Sequence, residues 1–167
     1  PKNFITAPAN DDCDKTINVP VSPNLNCDQM VAGSTLGATK SIQENTCKGE
    51  ADDDVWFSFV AIDPIQTIEF KNITGGTSTL NHVLYSGDDC AALTPLHCSE
   101  LIKTTAFNLV VGNTYKIRVY TPGSISSGVV DFDICISTPL PIENDECATA
   151  TYVIPSTNLK CENPVLG

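Results

Sequence analysis

The sequence predicts an all-β fold: a two-sheet β-sandwich of about eight strands with little or no helix, stapled by disulfides. Three observations predict it. Segments rich in Val, Ile, Thr and Phe alternate apolar with polar residues, the period of two that a half-buried strand requires. Clusters of Gly, Pro and Asn separate these segments at turn positions. Eight cysteines are scattered along 167 residues, and none forms a CxxC pair, which points to disulfides in an oxidising compartment rather than to zinc or a thioredoxin-like site.

Val55 to Ala61 alternates, with Val55, Phe57 and Phe59 on one face. Gln66 to Phe70 turns Ile68 and Phe70 inward, and Thr74-Gly75-Gly76 marks a turn after it. Phe107 to Val111, Gly112-Asn113 and Thr114 to Tyr120 read as a hairpin, because Gly-Asn supplies the positive φ angles of a tight turn. Tyr115, Ile117 and Val119 then face the core, while Lys116 and Arg118 face water. Pro122-Gly123 marks a further turn. Asp131 to Ile136 presents Phe132, Ile134 and Ile136 to the core and leaves Cys135 on the opposite face.

Lys and Arg number 9 against 20 Asp and Glu, a net charge of −11. That balance speaks against nucleic acid and anionic lipid, which require basic patches. No apolar run approaches the roughly 20 residues of a membrane-spanning helix. The first residues, Pro1-Lys2-Asn3-Phe4, read as an internal cut from a longer protein.

The chain repeats itself. Cys147 stands 134 positions after Cys13, and Cys161 stands 134 positions after Cys27. At the same shift Asn10, Asp11, Val19, Ser22, Asn24, Leu25, Val31 and Gly33 recur as Asn144, Asp145, Val153, Ser156, Asn158, Leu159, Val165 and Gly167, without a gap. The expected organisation is a linker over residues 1–9, a sandwich unit over 10–137, a Pro-rich linker over 138–143 and the start of a second copy over 144–167. Neighbouring repeats of the same chain are therefore expected partners.

Asn10-Asp11-Asp12-Cys13, Asp52-Asp53-Asp54-Val55-Trp56-Phe57-Ser58-Phe59, Tyr85-Ser86-Gly87 with Cys90 and Cys98, and Gly112 to Val119 together resemble a repeat of secreted Bacteroidetes proteins. The pattern is similar to the bacterial pre-peptidase C-terminal domain and, more distantly, to the collagen-binding modules of clostridial collagenases, over about Asn10 to Ser137. The resemblance implies a jelly-roll-like sandwich, a secreted or cell-surface location and an accessory role. It also implies a Ca2+ site at Asn10, Asp11, Asp52 and Asp54. Hard cations prefer such oxygen ligands, and adjacent carboxylates repel unless something screens them. The sequence departs from the collagenase pattern upstream, where Pro8 and Ala9 replace glutamates.

Among the cysteines, the short spacing of Cys90 and Cys98 suggests a local disulfide. The remaining Cys13, Cys27, Cys47 and Cys135 allow three connectivities. Cys13–Cys27 with Cys47–Cys135 is the expected one, since Cys147 and Cys161 then pair likewise. His82 and His97 read as structural. No GxSxG, HExxH or Gly-rich phosphate loop is present, so a non-catalytic module is expected. Trp56 and Tyr120 fall on the outer faces of their strands and are the candidate ligand-binding residues. The alternatives to a structural or adhesive role are a carbohydrate- or protein-binding module for an attached enzyme, with a glycan or extracellular protein as partner, and a self-assembling surface subunit.

Overall fold

In a computed structural model, residues 6–123, 128–140 and 152 are described. They form ten strands: β1 (Ile17–Asn18), β2 (Val21–Ser22), β3 (Val31–Ser34), β4 (Val55–Val60), β5 (Gln66–Gly75), β6 (Asn81–Ser86), β7 (Thr94–Ser99), β8 (Lys103–Ala106), β9 (Thr114–Tyr120) and β10 (Val130–Ser137). One short 3-10 turn, Cys13–Lys15, precedes β1. The first sheet runs β1-β4-β9-β6-β7 and the second β2-β10-β5-β8, with β3 also on β10. The all-β sandwich expected from the sequence is thus the architecture found. Two of the ten strands, β1 and β2, are only two residues long, too brief for an alternation to reveal.

The core between the sheets is built from the predicted faces. Val55, Phe57 and Phe59 of β4 meet Ile68 and Phe70 of β5, Ile117 and Val119 of β9, and Phe132, Ile134 and Ile136 of β10, all buried. Phe132 stands edge-on to both Phe57 and Phe70. Each fully buried side chain of this size contributes about 1.5–3 kcal/mol relative to an exposed one. Gly33 of β3 lets the Phe132 and Phe57 rings close over its backbone: a Cβ there would lie 2.5 Å from Phe132 and 2.9 Å from Phe57.

The segment expected to open a hairpin behaves differently. β8 ends at Ala106 and pairs with β5 in the second sheet, whereas β9 lies between β4 and β6 in the first. The chain changes sheets across residues 107–113. Asn108 adopts φ +59°, which breaks the alternation, so Phe107 points out at 62 % exposure and Leu109 takes the core position instead. The Gly112 turn itself forms, at φ +88°, but it closes on the end of β4, with the Gly112 N–H donating to the Ala61 carbonyl.

Three disulfides join Cys13 to Cys90, Cys27 to Cys135 and Cys47 to Cys98. This corrects all three expected pairings within residues 10–137, each for a geometric reason. Cys98 lies in mid-strand opposite Val83, four residues beyond Thr94. At about 3.3 Å per residue it is carried well past the few ångströms a bridge to Cys90, in the β6–β7 turn, would tolerate. Cys13 sits by the first sheet and Cys27 on the outside of the second. Cys47 and Cys135 occupy opposite outer faces of the sandwich. Cys135 does hold a loop against the outside of its sheet, as its strand position suggested. The second copy, with Cys147 and Cys161, lies outside the described residues except for Tyr152, which is exposed.

Candidate functional site

Over β4, β6 and β9 the outer face of the first sheet is not open to water. Residues 35–54 cross it as a strap, and beneath the strap lies a second buried cluster containing Cys13, Ala51, Trp56, Val83, Tyr85 and Tyr120. The strap is fixed by Cys47–Cys98 and, beside it, by Cys13–Cys90.

Arg118 is the polar centre of this layer and is fully buried. Its Nε lies 3.1 Å from Asp54 Oδ2 and its Nη2 donates to Asp54 Oδ1 at 3.1 Å. Nη1 donates to the Gln43 carbonyl and Nη2 to the Ala51 carbonyl, both on the strap. The guanidinium carbon stands 5.6 Å from the centre of the Trp56 ring, within cation–π range. Asp54 also accepts from the Ser41 N–H and hydroxyl and from Trp56 Nε1. All but one of the pair's polar atoms are hydrogen-bonded, Arg118 Nε meeting Asp54 by charge alone, and such mutual satisfaction is the condition under which buried opposite charges persist. Lys116 is nearly buried as well and donates to the Cys13 carbonyl at 3.1 Å, with its Nζ 3.1 Å from Cys90 Sγ.

These contacts correct four expectations. Trp56 and Tyr120 are each 0 % exposed, so neither offers a stacking face. Trp56 packs on Tyr85, and the Tyr120 hydroxyl donates to the Lys48 carbonyl while burial pushes its phenol above the usual range. Arg118 and Lys116, expected in water, are covered because the strap removes the wet side of the sheet.

The four residues of the expected cation site take separate roles. Asn10 donates from Nδ2 to the Trp56 carbonyl. Asp11 caps the strap through the Thr39 N–H and hydroxyl. Asp54 holds Arg118, and Asp52 lines a hollow at the strap surface. Between Asp52 and Asp54, Asp53 is buried and accepts from the Thr121 N–H and hydroxyl; burial pushes its carboxyl upward against those bonds. The neighbouring acids Asp53 and Asp54 thus point to different partners. Among the described residues no cluster of three or more His, Cys, Asp or Glu side chains is disposed to hold a metal ion. His82, buried against Thr104 and near His97, is held at a pKa of about 3, chiefly by desolvation.

What stays open is a groove of about 550 Å³ between the strap and the β6–β7 turn, lined by Ile42, Gln43, Thr46, Tyr85, Leu93 and Pro95 among others. Tyr85 is 3 % exposed, yet its hydroxyl has no hydrogen-bond partner; nor has Gln43 Oε1. The other end of the Gln43 amide is anchored by donating to the Cys90 carbonyl, which fixes Oε1 as the free acceptor. Buried polar atoms are ordinarily satisfied, and two of those that are not belong to residues lining this one groove. Ile42, at 93 % exposure, adds an apolar lip. The sequence contained Tyr85 within Tyr85-Ser86-Gly87 but gave no sign that its hydroxyl would be unpaired.

A model for a T9SS-associated family, described as galactose binding domain-like, matches residues 9–134. The chain belongs to that family. No curated protein matches this galactose-binding-like chain. Among solved structures it is similar to PliG of Aeromonas hydrophila, a periplasmic inhibitor of g-type lysozyme, with 14 % identity and a TM-score of 0.39 over 71 % of this chain and 98 % of that one. Three disulfides and the T9SS association of the galactose-binding-like family fit an extracellular or periplasmic location. No helix among the described residues is long and apolar enough to cross a membrane.

Proposed function

We propose that this is a non-catalytic, ligand-binding accessory module of a larger secreted or cell-surface protein, and that the strap groove is where it binds. The observation that carries the reading is the pair of buried, unpaired polar atoms, Tyr85 Oη and Gln43 Oε1, on one groove. Gln43 Oε1 can only accept and Tyr85 Oη can donate or accept. The complement is a neutral ligand with adjacent hydroxyls and an apolar face to lie on Leu93 and Pro95. A saccharide has that character, and the galactose-binding-like family description supports it. The net charge of −11 disfavours anionic ligands. The resemblance to pre-peptidase C-terminal and collagenase modules supports the same accessory role.

A second reading, a structural or adhesive spacer between repeats, is favoured by the density of staples, since disulfides suit an exposed location. A neutral-glycan array separates the two. Saturable binding that is lost in Tyr85→Phe supports the binding module. Absence of binding to every glycan and to extracellular matrix proteins leaves the spacer as the better account.

A further inference from the structure

The three disulfides of the described residues stand in different charge surroundings. Cys27 Sγ lies 3.9 Å from Glu69 Oε2, a carboxylate that disfavours a neighbouring thiolate. Cys98 is exposed and Cys47 half-buried. Lys48, next in sequence to Cys47, turns its Nζ to Glu100 at 3.2 Å and leaves that bridge without a cation. Cys13–Cys90 does meet one: Lys116 Nζ lies 3.1 Å from Cys90 Sγ and 3.7 Å from Cys13 Sγ.

The fold holds Lys116 in that place. β9 sets it between Ser58 of β4 and Tyr85 of β6, on the covered outer face and two residues before Arg118. Arg118 has Asp54 as its counter-charge. Lys116 donates to the Cys13 carbonyl, and no carboxylate of the described residues comes within ion-pair distance of it. Asp12, beside Cys13, is paired with Lys15 instead. A buried cation without a counter-charge is costly, and the atoms best placed to become one are the two sulfurs. A neutral disulfide gives Lys116 little, whereas a thiolate at either sulfur gives it an ion pair. A cation beside a cysteine favours the thiolate for this reason. Access to the bond is one-sided. Cys13 is 3 % exposed, while Cys90 is half-buried and lines the strap groove together with Ala91 and Leu93.

We infer that Cys13–Cys90 is a thiol-exchange site, at which a low-molecular-weight thiol entering from the groove bonds to Cys90 and Cys13 leaves as a thiolate facing Lys116. The step is a displacement at sulfur. The incoming thiol loses its proton to solvent, and its thiolate attacks Cys90 Sγ. The new S–S bond forms, the Cys13–Cys90 bond breaks, and the electron pair of the broken bond stays on Cys13. One disulfide is consumed and one is made, so the thiol is the only co-reactant. A second thiolate can remove the first as their common disulfide and leave Cys90 reduced. Either product unties the β6–β7 turn from the Cys13–Lys15 turn, and the first also places an adduct in the groove. The site is independent of whether the groove takes a saccharide.

The test uses the full oxidised chain, incubated at about pH 8.5 with graded ratios of reduced to oxidised glutathione, quenched by alkylation and mapped by non-reducing peptide mass spectrometry. An opposite charge this close favours the ionised form by about tenfold or more. An ordinary thiol is half ionised at about pH 8.5, so the equilibrium constant for opening Cys13–Cys90 should exceed that of Lys116→Met by about fivefold or more. Glutathione should be found on Cys90, with Cys13 alkylated. Equal constants in wild type and Lys116→Met overturn the inference, and so does glutathione on Cys13 with Cys90 alkylated. Should Lys116→Met fail to fold, Cys13→Ser gives the same decision on the lysine. Labelling of its Cys90 by iodoacetamide, followed peptide by peptide against pH, should have its midpoint about one pH unit or more below the ordinary thiol value of about 8.5. A midpoint at or above that value overturns the inference.

Discussion

Asp54→Asn is the substitution that most directly probes the strap. Asparagine preserves the shape of the side chain, and its one oxygen can still accept from the Ser41 hydroxyl and Trp56 Nε1, but its Nδ2 then faces the Ser41 N–H and Arg118 Nη2, so the negative charge and one acceptor position are lost together. Arg118 then remains at 0 % exposure with carbonyls and an aromatic face but no counter-charge. Removing one partner of a buried ion pair costs about 3–5 kcal/mol. For a chain of this size each kcal/mol lowers the melting temperature by about 2–4 °C, so a drop of about 10–15 °C is expected. The assay is thermal unfolding followed by tryptophan fluorescence, which reports on the layer concerned because Trp56 is the only tryptophan. Pairing Asp54→Leu with Arg118→Met should recover much of the loss, since apolar replacements for a buried pair are often neutral. An Asp54→Asn melt within about 2 °C of wild type, which corresponds to less than about 1 kcal/mol, would refute the account of the strap as held by a buried charge.

His82 makes stability fall with acid: its folded pKa, about 3, lies below the unfolded 6.5. Its contribution is therefore complete above the unfolded value and declines as pH drops, by about 2 kcal/mol between pH 7.5 and 5.0. Urea unfolding at the two pH values should show this, and His82→Gln should remove it; Asp53, with its carboxyl pushed up, acts in the opposite sense at lower pH. Peptide mapping without reduction should recover Cys27–Cys135, and replacing both by Ser should lower stability by about 2–4 kcal/mol, because the bond closes a long stretch of chain. Calcium and chelator should leave the melting temperature unchanged, as Asp54 is committed to Arg118 and Asp11 to Thr39; a calcium-dependent rise abolished by Asp11→Ala would show that these carboxylates can be recruited.

The strands that make the core were legible because one of their faces is apolar without interruption: Val55, Phe57 and Phe59, or Phe132, Ile134 and Ile136. The outer face of the first sheet was not legible. An alternation of apolar and polar residues says which side is buried deepest but not that the other side is wet. Arg118 and Lys116 look identical in sequence whether they meet water or the strap. Cys47, a cysteine in a polar loop, was the one sign that the loop is tied down. Short spacing suggested Cys90–Cys98, whereas the β6–β7 register carries Cys98 away from Cys90; the recurrence of Cys13 and Cys27 suggested that they pair with each other, but recurrence does not say which cysteines meet. The groove was hidden for a related reason. Whether a hydroxyl such as that of Tyr85 has a partner depends on residues from a strap some forty positions away.

The central claim is that Tyr85 Oη is kept unpaired for a ligand, and Tyr85→Phe tests it with two readings on one variant. The substitution removes a hydroxyl with no internal partner, so stability should hold or rise slightly, since a buried unsatisfied group costs about 1–3 kcal/mol. Affinity for any glycan found on the array should fall about tenfold or more, by the same loss. A variant that is equally stable but binds unchanged, or one that is clearly destabilised, contradicts the claim: the first places the ligand elsewhere, and the second shows that the hydroxyl was serving the fold.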